Sequence, residues 1–205
     1  MESNQELVQY LILRGILKTP QVIEAFRKID RKDFTQDYNK NKAYKDYPLP
    51  IGEGQTISQP STVAFMIELL QPRKGDKILD IGSGSGYTTA LLSQISTEGK
   101  VYGVEKVLNL VKKGRYNLKK YDFKNSKIIK AKKIIGLPNK SPFNKILVSA
   151  SAKEIPTELI KQLSNSGTMV IPIKNSIFKI KKFGGIIKKE EYKGFIFVPL
   201  VYEPQ

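Results

Sequence analysis

The sequence predicts an α/β protein with a doubly wound, mostly parallel sheet, antiparallel C-terminal strands and an N-terminal helical extension. Short apolar segments alternate with amphipathic helical segments between residues 77 and 173, which is the pattern of successive βαβ units. A glycine-rich loop follows the first of these strands, and β segments follow one another after residue 175. With 205 residues, the chain is expected to form a single domain.

Two helices are predicted ahead of the sheet. Apolar residues recur at helical spacing over residues 5–17, where Gly15 interrupts the pattern. Thr19-Pro20 is a typical helix start, and the helix that follows carries apolar residues as far as Ile29. Residues 33–59 are rich in Tyr, Pro and Gly without a sustained period, which predicts a long ordered loop over the core.

The rest of the chain alternates strands and helices before ending in strands. Helices are predicted at 60–70, 87–96, 108–121 and 156–163. Strands are predicted at 77–81, 101–104, 127–130, 143–149 and 168–173. Three further segments, 177–183, 185–188 and 194–201, are expected to pair as antiparallel edge strands.

The composition excludes several kinds of catalytic site. The chain has no cysteine and no histidine, so thiolate nucleophiles, Ser-His-Asp triads, histidine bases and Cys/His metal sites are all excluded. No metal is expected. The remaining chemistry must use carboxylates, hydroxyls, lysines, backbone groups or a bound cofactor, which favours a cofactor-dependent enzyme or a binding protein.

The chain is strongly basic, with 35 Lys and Arg against 19 Asp and Glu and a net charge of +16. A basic field attracts polyanions, but only five of the cations are arginine, the residue that reads bases through bidentate hydrogen bonds. A solvated lysine surface is therefore favoured, with a functional polyanion site as the alternative.

The N-terminus lacks a secretory signal, and no apolar run reaches the roughly 18 residues of a membrane span. A cytoplasmic protein without membrane contact is expected.

A glycine loop follows the strand predicted at 77–81, in the sequence Asp-Ile-Gly-Ser-Gly-Ser-Gly over residues 80–86. Glycines allow a ligand to approach the backbone closely. Gly82 and Gly86 are closer together than the outer glycines of a dinucleotide fingerprint, which favours a nucleoside site over a pyrophosphate site. Glu105 ends the next strand about 20 residues on, where a carboxylate can accept both ribose hydroxyls. The two signals together predict nucleoside binding, whereas the loop alone could be a tight turn.

A second segment, residues 43–60, has no periodic or turn-repeat explanation and reads Ala-Tyr-Lys-Asp-Tyr-Pro-Leu-Pro-Ile-Gly-Glu-Gly-Gln-Thr-Ile-Ser-Gln-Pro. It resembles the protein-L-isoaspartate (D-aspartate) O-methyltransferase family, whose hallmark is Pro-Leu-Pro-Ile-Gly and Gly-Gln-Thr-Ile-Ser-Gln-Pro just upstream of the glycine loop. The resemblance continues over nearly the whole chain. It includes residues 24–26, 31–34, 80–87, 146–150, 155–156, 162–163 and 198–200.

The resemblance implies a Rossmann-like class I methyltransferase that uses S-adenosyl-L-methionine. Its substrates would be the α-carboxylates of L-isoaspartyl residues in damaged proteins and peptides, whose methyl esters collapse to succinimides and so begin repair. A carboxylate with a pKa near 4 is ionised at neutral pH and needs no general base, so this reaction is compatible with a chain that has no histidine.

The resemblance also implies roles for individual residues. Ser58 would be the catalytic hydroxyl, orienting the substrate carboxylate or the methyl donor, and the alternative is that it caps the helix beginning at Pro60. The expected cofactor-binding residues are Ile57, Ser58, Asp80, Gly82, Ser83, Gly84, Gly86, Glu105, Lys106, Lys132 and Lys133. The expected substrate-binding residues are Pro50, Ile51, Gln55, Thr56, Val198, Pro199 and Leu200.

These expectations divide the single domain into three parts. Residues 1–59 form the helical extension and substrate loop, residues 60–174 the nucleoside-binding core, and residues 175–205 the C-terminal strands. A monomer is expected, because no unpaired apolar helix or heptad pattern demands a partner.

Two positions depart from the family pattern, and both are expected in the cofactor region. Lys132 stands where the family has an aspartate beside the adenine. An ammonium cannot accept a hydrogen bond from the adenine amine and repels a cationic cofactor, so weaker cofactor binding is predicted. Asn144 stands where the family has an aspartate at the start of the strand predicted at 143–149. Alternative functions are a nucleic-acid methyltransferase, prompted by the charge, and a binding module that has lost its cofactor, prompted by Lys132.

Overall fold

The structure, a computed structural model, describes residues 1–200. The helices are α1 (Asn4–Leu13), α2 (Pro20–Lys28), α3 (Pro60–Leu70), α4 (Tyr87–Ile95), α5 (Leu108–Lys119) and α6 (Thr157–Gln162). The strands are β1 (Leu49–Gly52), β2 (Gln55–Ile57), β3 (Lys77–Ile81), β4 (Lys100–Glu105), β5 (Ser126–Lys130), β6 (Phe143–Val148), β7 (Leu163–Ile173), β8 (Ser176–Phe183) and β9 (Ile186–Lys193). Short 3-10 turns lie at Arg31–Phe34, Asp37–Lys42 and Pro138–Lys140.

Seven strands form one sheet in the order β5-β4-β3-β6-β7-β8-β9. Strands β3 to β7 are parallel, whereas β8 and β9 are added antiparallel at one edge. The chain builds outward from β3 to β5 and then crosses back to β6 on the other side of β3. This arrangement confirms the predicted doubly wound sheet, and it places the topological switch point between β3 and β6, where ligands bind at the carboxyl ends of the strands.

Both faces of the sheet are covered. One apolar cluster joins one face to α1–α5 and includes Ile78, Leu147 and Val170. The opposite face carries Leu79 and Ile146 in a second cluster with Leu159 of α6. Successive strand residues point to opposite faces, so the near-continuous apolar runs of β3 and β6 are those of strands buried on both sides. Among residues 1–200 there is no helix with the length and apolar character to cross a bilayer.

The structure differs from the sequence predictions in several segments. The first helix ends at Leu13 instead of near residue 17, β7 begins at Leu163 instead of residue 168, and β9 extends to Lys193 instead of ending at residue 188. Residues 33–59 are not an unbroken loop, because they contain the end of one 3-10 turn, the whole of a second and the antiparallel β1–β2 hairpin. The strand predicted at 194–201 is wrong for the described residues 194–200, which form only an isolated bridge between Ser151 and Pro199. Gly194 turns the chain with a φ of +94°, and Pro199 has no amide N–H to donate to a ladder. Residue 201 lies outside the described residues.

Candidate functional site

A cavity of about 810 Å³ opens at the switch point, at the carboxyl ends of β3, β4 and β6. Its walls come from the β1–β2 hairpin, the glycine loop, the ends of β4 and β5, and residues 198–200. The predicted site residues that line it are Ile51, Gln55, Thr56, Gly82, Gly84, Glu105, Lys106, Lys132, Lys133, Val198, Pro199 and Leu200. Residues from five separate parts of the sequence therefore meet in one cavity.

The glycine loop and Glu105 form one hydrogen-bonded unit. The Glu105 carboxylate is buried, and its two oxygens accept the backbone N–H groups of Gly84 and Val107, each at 2.9 Å. Gly84 has a φ of +52°, so glycine fits this turn without strain. A carboxylate oxygen can accept more than one hydrogen bond. Glu105 is therefore held at the cavity wall with acceptor capacity left for a diol such as a ribose.

A smaller recess of about 40 Å³ adjoins the large cavity and is lined by Ser58, Ile57 and Ser83. Ser58 does not cap α3, because the cap residue is Gln59. The first-turn N–H of Ser61 is bound instead by Asp46 Oδ1 at 2.9 Å. The capping alternative for Ser58 is wrong, and Ser58 belongs to the wall of the recess.

Arg31, whose role the sequence did not reveal, fixes the segment that carries Ser58. Its side chain is fully buried and donates to the carbonyls of Ala43, Tyr47 (3.2 Å) and Ser58 (3.1 Å). Burial lowers the pKa of this guanidinium to about 10, with Asp46 among the groups that oppose the change. One cation therefore satisfies three carbonyls that lie outside the β1–β2 ladder.

The β1–β2 hairpin is fastened to α5 and lies against the glycine loop. Asn109 of α5 donates to Glu53 Oε1 at 2.7 Å, and Lys113 approaches the carbonyl of Ile51 at 3.4 Å. A Cβ added at Gly84 would lie 3.0 Å from Ile51 Cδ1. A side chain at position 84 would therefore require the end of the Ile51 side chain to shift.

Two further walls are held by residues distant in sequence. Ser151 donates its N–H to the carbonyl of Val198 and accepts the N–H of Leu200, both at 2.8 Å. On the opposite side, the buried Gln162 side chain donates to the carbonyl of Ile135 at 2.9 Å and accepts the N–H of Leu137 at 2.7 Å. The first pair fixes residues 198–200 beside β6, and the second fixes the segment that presents the exposed Lys132 and Lys133.

Three predicted site residues, Pro50, Asp80 and Gly86, line neither the large cavity nor the recess. Pro50 is exposed on β1, and Gly86 lies against Gly114 and Ile128, where an added Cβ would come within 3.2 Å of both. Asp80 is completely buried behind the glycine loop. Its Oδ2 accepts the hydroxyls of Thr88 (2.7 Å) and Thr89 (2.6 Å), while Oδ1 has no partner among residues 1–200. Burial raises the pKa of Asp80 to about 6, and the nearby Glu105 adds to the rise.

The expectation that Asn144 lies in the cofactor region is wrong. Asn144 is at the amino end of β6, whereas the cavity lies at the carboxyl end of that strand. Its side-chain oxygen accepts the N–H of Lys77 at 2.8 Å, which ties the starts of β6 and β3 together. This departure from the family pattern therefore does not touch the large cavity, and Lys132 is the departure that does.

Several cavity residues were missed by sequence reasoning. They are Ile81, Val104, Val107, Lys130, Ala131, Ile134, Ile135, Gly136, Ser149 and Ala150. Most of them end a parallel strand or directly follow one. Since ligands of such sheets bind beyond the carboxyl ends of the strands, the predicted ends of β5 and β6 were a usable signal for Lys130 and Ser149.

Comparisons with known proteins agree with this geometry. The family model described as protein-L-isoaspartate(D-aspartate) O-methyltransferase matches residues 2–205. The chain belongs to this family. A protein-L-isoaspartate O-methyltransferase of Ignicoccus hospitalis is 40% identical over 98% of this chain and 99% of its own, and one of Flavobacterium psychrophilum is 42% identical over 96% of this chain and 92% of its own.

Solved structures of the family share the fold. A Plasmodium falciparum protein described as a protein-L-isoaspartate O-methyltransferase, in complex with S-adenosyl-L-homocysteine, has a TM-score of 0.86 at 29% identity, covering 99% of this chain and 100% of its own. A second protein-L-isoaspartate O-methyltransferase has a TM-score of 0.88 at 25% identity, covering 97% of this chain and 66% of its own. The predicted family, the Rossmann-like methyltransferase fold, the enzyme class and the S-adenosylmethionine cofactor are thereby confirmed.

Proposed function

We propose that this methyltransferase uses the large cavity to bind S-adenosyl-L-methionine and the adjoining recess to bring an L-isoaspartyl α-carboxylate to its methyl group. The observation that carries the proposal is the meeting of two segments. The family-specific segment ending in Ser58 packs directly on the glycine loop, so that Ile51 and Thr56 line both the large cavity and the recess. Substrate and cofactor walls are therefore shared by the same few residues.

The residues present fit the cofactor. Glu105 offers carboxylate oxygens at the end of β4 to the ribose hydroxyls, and the glycine loop leaves its backbone open at Gly82 and Gly84. The buried Asp80 has an oxygen without a partner among residues 1–200 and lies behind the same loop. Two carboxylates close to one loop favour a cationic ligand, and the cofactor is a sulfonium with an ammonium group.

S-adenosylmethionine supplies an activated methyl group when it is bound. The chain's own residues bind, orient and exclude water. The Ser58 hydroxyl has no histidine to activate it in this chain, so it donates a hydrogen bond to the substrate carboxylate and does not act as a nucleophile. A carboxylate is ionised at neutral pH, so alignment of its oxygen is the main contribution required of the protein.

The substrate peptide is expected to bind between the β1–β2 hairpin and residues 198–200. Gln55 and Thr56 line the large cavity together with Val198, Pro199 and Leu200. Because two backbone hydrogen bonds to Ser151 hold residues 198–200, this wall is expected to keep its position when peptides of varied sequence bind. Pro50, on the exposed side of β1, is at most a peripheral contact.

Replacing Ser58 with alanine tests the proposed catalytic hydroxyl. We expect kcat for an isoaspartyl peptide to fall about tenfold or more, the value of one lost hydrogen bond to a charged group. The affinity for S-adenosylhomocysteine, measured by calorimetric titration, should change by less than about twofold. Ser61→Ala is the matched control, since it makes the same change three residues away in α3. Equal kcat values for the native and Ser58→Ala enzymes would contradict the proposed role.

Replacing Lys132 with aspartate tests the cost of the exposed lysine at the cofactor cavity. The aspartate can accept a hydrogen bond from the adenine amine and removes a cation from the wall. We expect the dissociation constant for S-adenosylhomocysteine to fall about tenfold. Lys133→Asp makes the same change in charge one residue away on the same wall. An equal gain from both variants would show that net charge, and not the position of Lys132, limits binding.

The remaining sequence predictions are retained as parts of the proposal. The chain is proposed to act as a single domain and a monomer in the cytoplasm, on isoaspartyl-containing proteins and peptides. Residues 1–200 contain no group of three or more acidic side chains that could hold a metal ion. The family match favours this function over methyl transfer to nucleic acid.

A further inference from the structure

A second cleft, of about 540 Å³, lies at the amino end of β6, whereas the cofactor cavity lies at the carboxyl end of that strand. Its walls are the end of α3, the start of β6, and the strands β7 and β8. The two ends of β6, where the cleft and the cofactor cavity lie, are roughly 15 Å apart at the usual rise of a strand. The cleft shares no residue with the cavity proposed for the cofactor.

The cleft is lined by an excess of cations. Arg73, Lys145, Lys179 and Lys181 line it, and none of these four forms a salt bridge within the described residues 1–200. Lys182 also contributes, but its ammonium donates to backbone carbonyls at the end of α6. Burial lowers the pKa of Lys145; Asp76 opposes this, and the charges of Arg73, Lys179 and Lys181 add to it.

The strand register brings these cations onto one face. Lys145 of β6 pairs with Thr168 of β7, which pairs with Lys181 of β8. Paired residues point to the same face, so the two lysines flank Thr168 in one row, about 10 Å apart at the usual strand spacing. Lys179 is two residues from Lys181 and shares its face. An anion above Thr168 would therefore be within reach of three lysines.

Asn144 adds a neutral donor to the cleft, and the one carboxylate among the described lining residues is outnumbered by five cations. Asp76, the carboxylate among the described lining residues, accepts the N–H of Arg73 at 2.7 Å. Asn144 uses its oxygen on the N–H of Lys77, so its NH₂ group is the part that can donate into the cleft. Asn144 thus adds a donor where an aspartate would add a negative charge.

We propose that this cleft binds a compact polyphosphate anion, such as the di- or triphosphate group of a nucleotide or an inorganic polyphosphate. Lysines are suited to phosphate as point charges, and an excess of cations in a concave, partly buried site favours a multiply charged anion. A cleft of this size suits a short chain of phosphates better than the extended backbone of a nucleic acid. The site lies apart from the proposed methyl transfer and does not depend on it.

Calorimetric titration of the full chain with inorganic tripolyphosphate at constant ionic strength tests the proposal. Saturable binding is expected, and Asn144→Asp should weaken it about tenfold or more by placing a negative charge among the lysines. Lys179→Gln with Lys181→Gln should weaken it at least as much. The control is Lys189→Gln on β9, which removes one charge outside the cleft and should leave the affinity within about twofold.

Titration of each variant with S-adenosylhomocysteine distinguishes loss of the anion site from loss of the fold. Every folded variant should bind this ligand as the native chain does. A variant that loses both ligands has lost its fold, and the Lys179 and Lys181 changes then replace Asn144→Asp as the test. Absence of saturable tripolyphosphate binding, or equal affinity in all variants, would overturn the proposal. Tighter binding of single-stranded RNA than of tripolyphosphate, lost in the same variants, would also overturn it in favour of a nucleic-acid surface. ATP binding tighter than tripolyphosphate would support it and identify a nucleotide as the source of the phosphates.

Discussion

Replacement of Arg31 by alanine is expected to lower the free energy of unfolding by about 3–5 kcal/mol. The substitution leaves the carbonyls of Ala43, Tyr47 and Ser58 without their donor and opens a cavity where a large, fully buried side chain stood. Since domains are stable by only about 5–15 kcal/mol, this single change is expected to remove a large fraction of the total. Urea unfolding followed by circular dichroism measures it.

Arg31→Lys separates charge from geometry. A lysine keeps a cation but cannot present the planar fork that reaches three carbonyls in different directions. We expect an intermediate loss of stability together with a fall in kcat, because the carbonyl of Ser58 is one of the three acceptors. Arg27→Ala, on the exposed face of α2, is the matched control and should change the free energy of unfolding by less than about 0.5 kcal/mol. Stability unchanged in Arg31→Ala would show that the buried cation costs as much as its hydrogen bonds contribute.

Replacement of Asp80 by asparagine is expected to stabilise the cofactor-free protein at neutral pH and to weaken its cofactor binding. The pKa of Asp80 is raised to about 6 from an ordinary 3.8, chiefly by burial. The difference corresponds to about 3 kcal/mol of destabilisation when the group is ionised in the folded state. The amide cannot ionise, and its oxygen can take the place of Oδ2, which accepts the hydroxyls of both Thr88 and Thr89. A stabilisation of up to about 3 kcal/mol at pH 8 is therefore expected.

The sign of the pH dependence follows from the raised pKa. Between about pH 3.8 and 6 the folded state binds a proton that the unfolded state does not, so this group favours folding more as the pH falls. The advantage of Asp80→Asn over the native chain should thus be constant above about pH 6 and shrink toward pH 4. Thermal unfolding across this range measures it. Glu98→Gln, at an exposed salt bridge with Lys74, is the control and should show no such change near pH 6.

Cofactor binding should change in the opposite direction. An ionised Asp80 attracts the cationic methyl donor, so the affinity of the native chain for S-adenosylmethionine should fall as the pH drops through about 6. Asp80→Asn should bind it more weakly at pH 8 and with a flatter pH profile. A gain in stability without a loss of affinity would show that the buried carboxylate plays no part in cofactor binding.

Local patterns predicted the central fold well and the peripheral parts less well. The bounds of β3 and α3 agree with the prediction, because an apolar run ending at a glycine loop and a Pro-initiated helix are strong local signals. Residues 194–200 form a nearly continuous apolar run, as a buried strand would, yet they leave the sheet after β9. Phe195 stacks on Phe65 at 5.3 Å, and this tertiary contact competes with any edge pairing.

The candidate site shows the same division. Glu105 and the glycine loop were found from spacing because their partners are set by the βαβ unit itself. The positions of Arg31 and Gln162 were not, since each satisfies backbone carbonyls and amides of a segment distant in sequence. Such contacts carry no local period. The position of Asn144 outside the cofactor cavity could have been predicted. Asn144 lies at the start of a parallel strand, and ligands of these sheets bind where the strands end.

Residues 198–200 form one wall of the proposed peptide groove, yet they belong to no strand and are joined to the fold through the bridge to Ser151. Two backbone hydrogen bonds hold this wall, whereas the sheet is held by continuous ladders between its strands. Removal of residues 198–200 is therefore expected to weaken peptide binding while the sheet keeps its strands. Substrate recognition and fold stability thus depend on different parts of the chain.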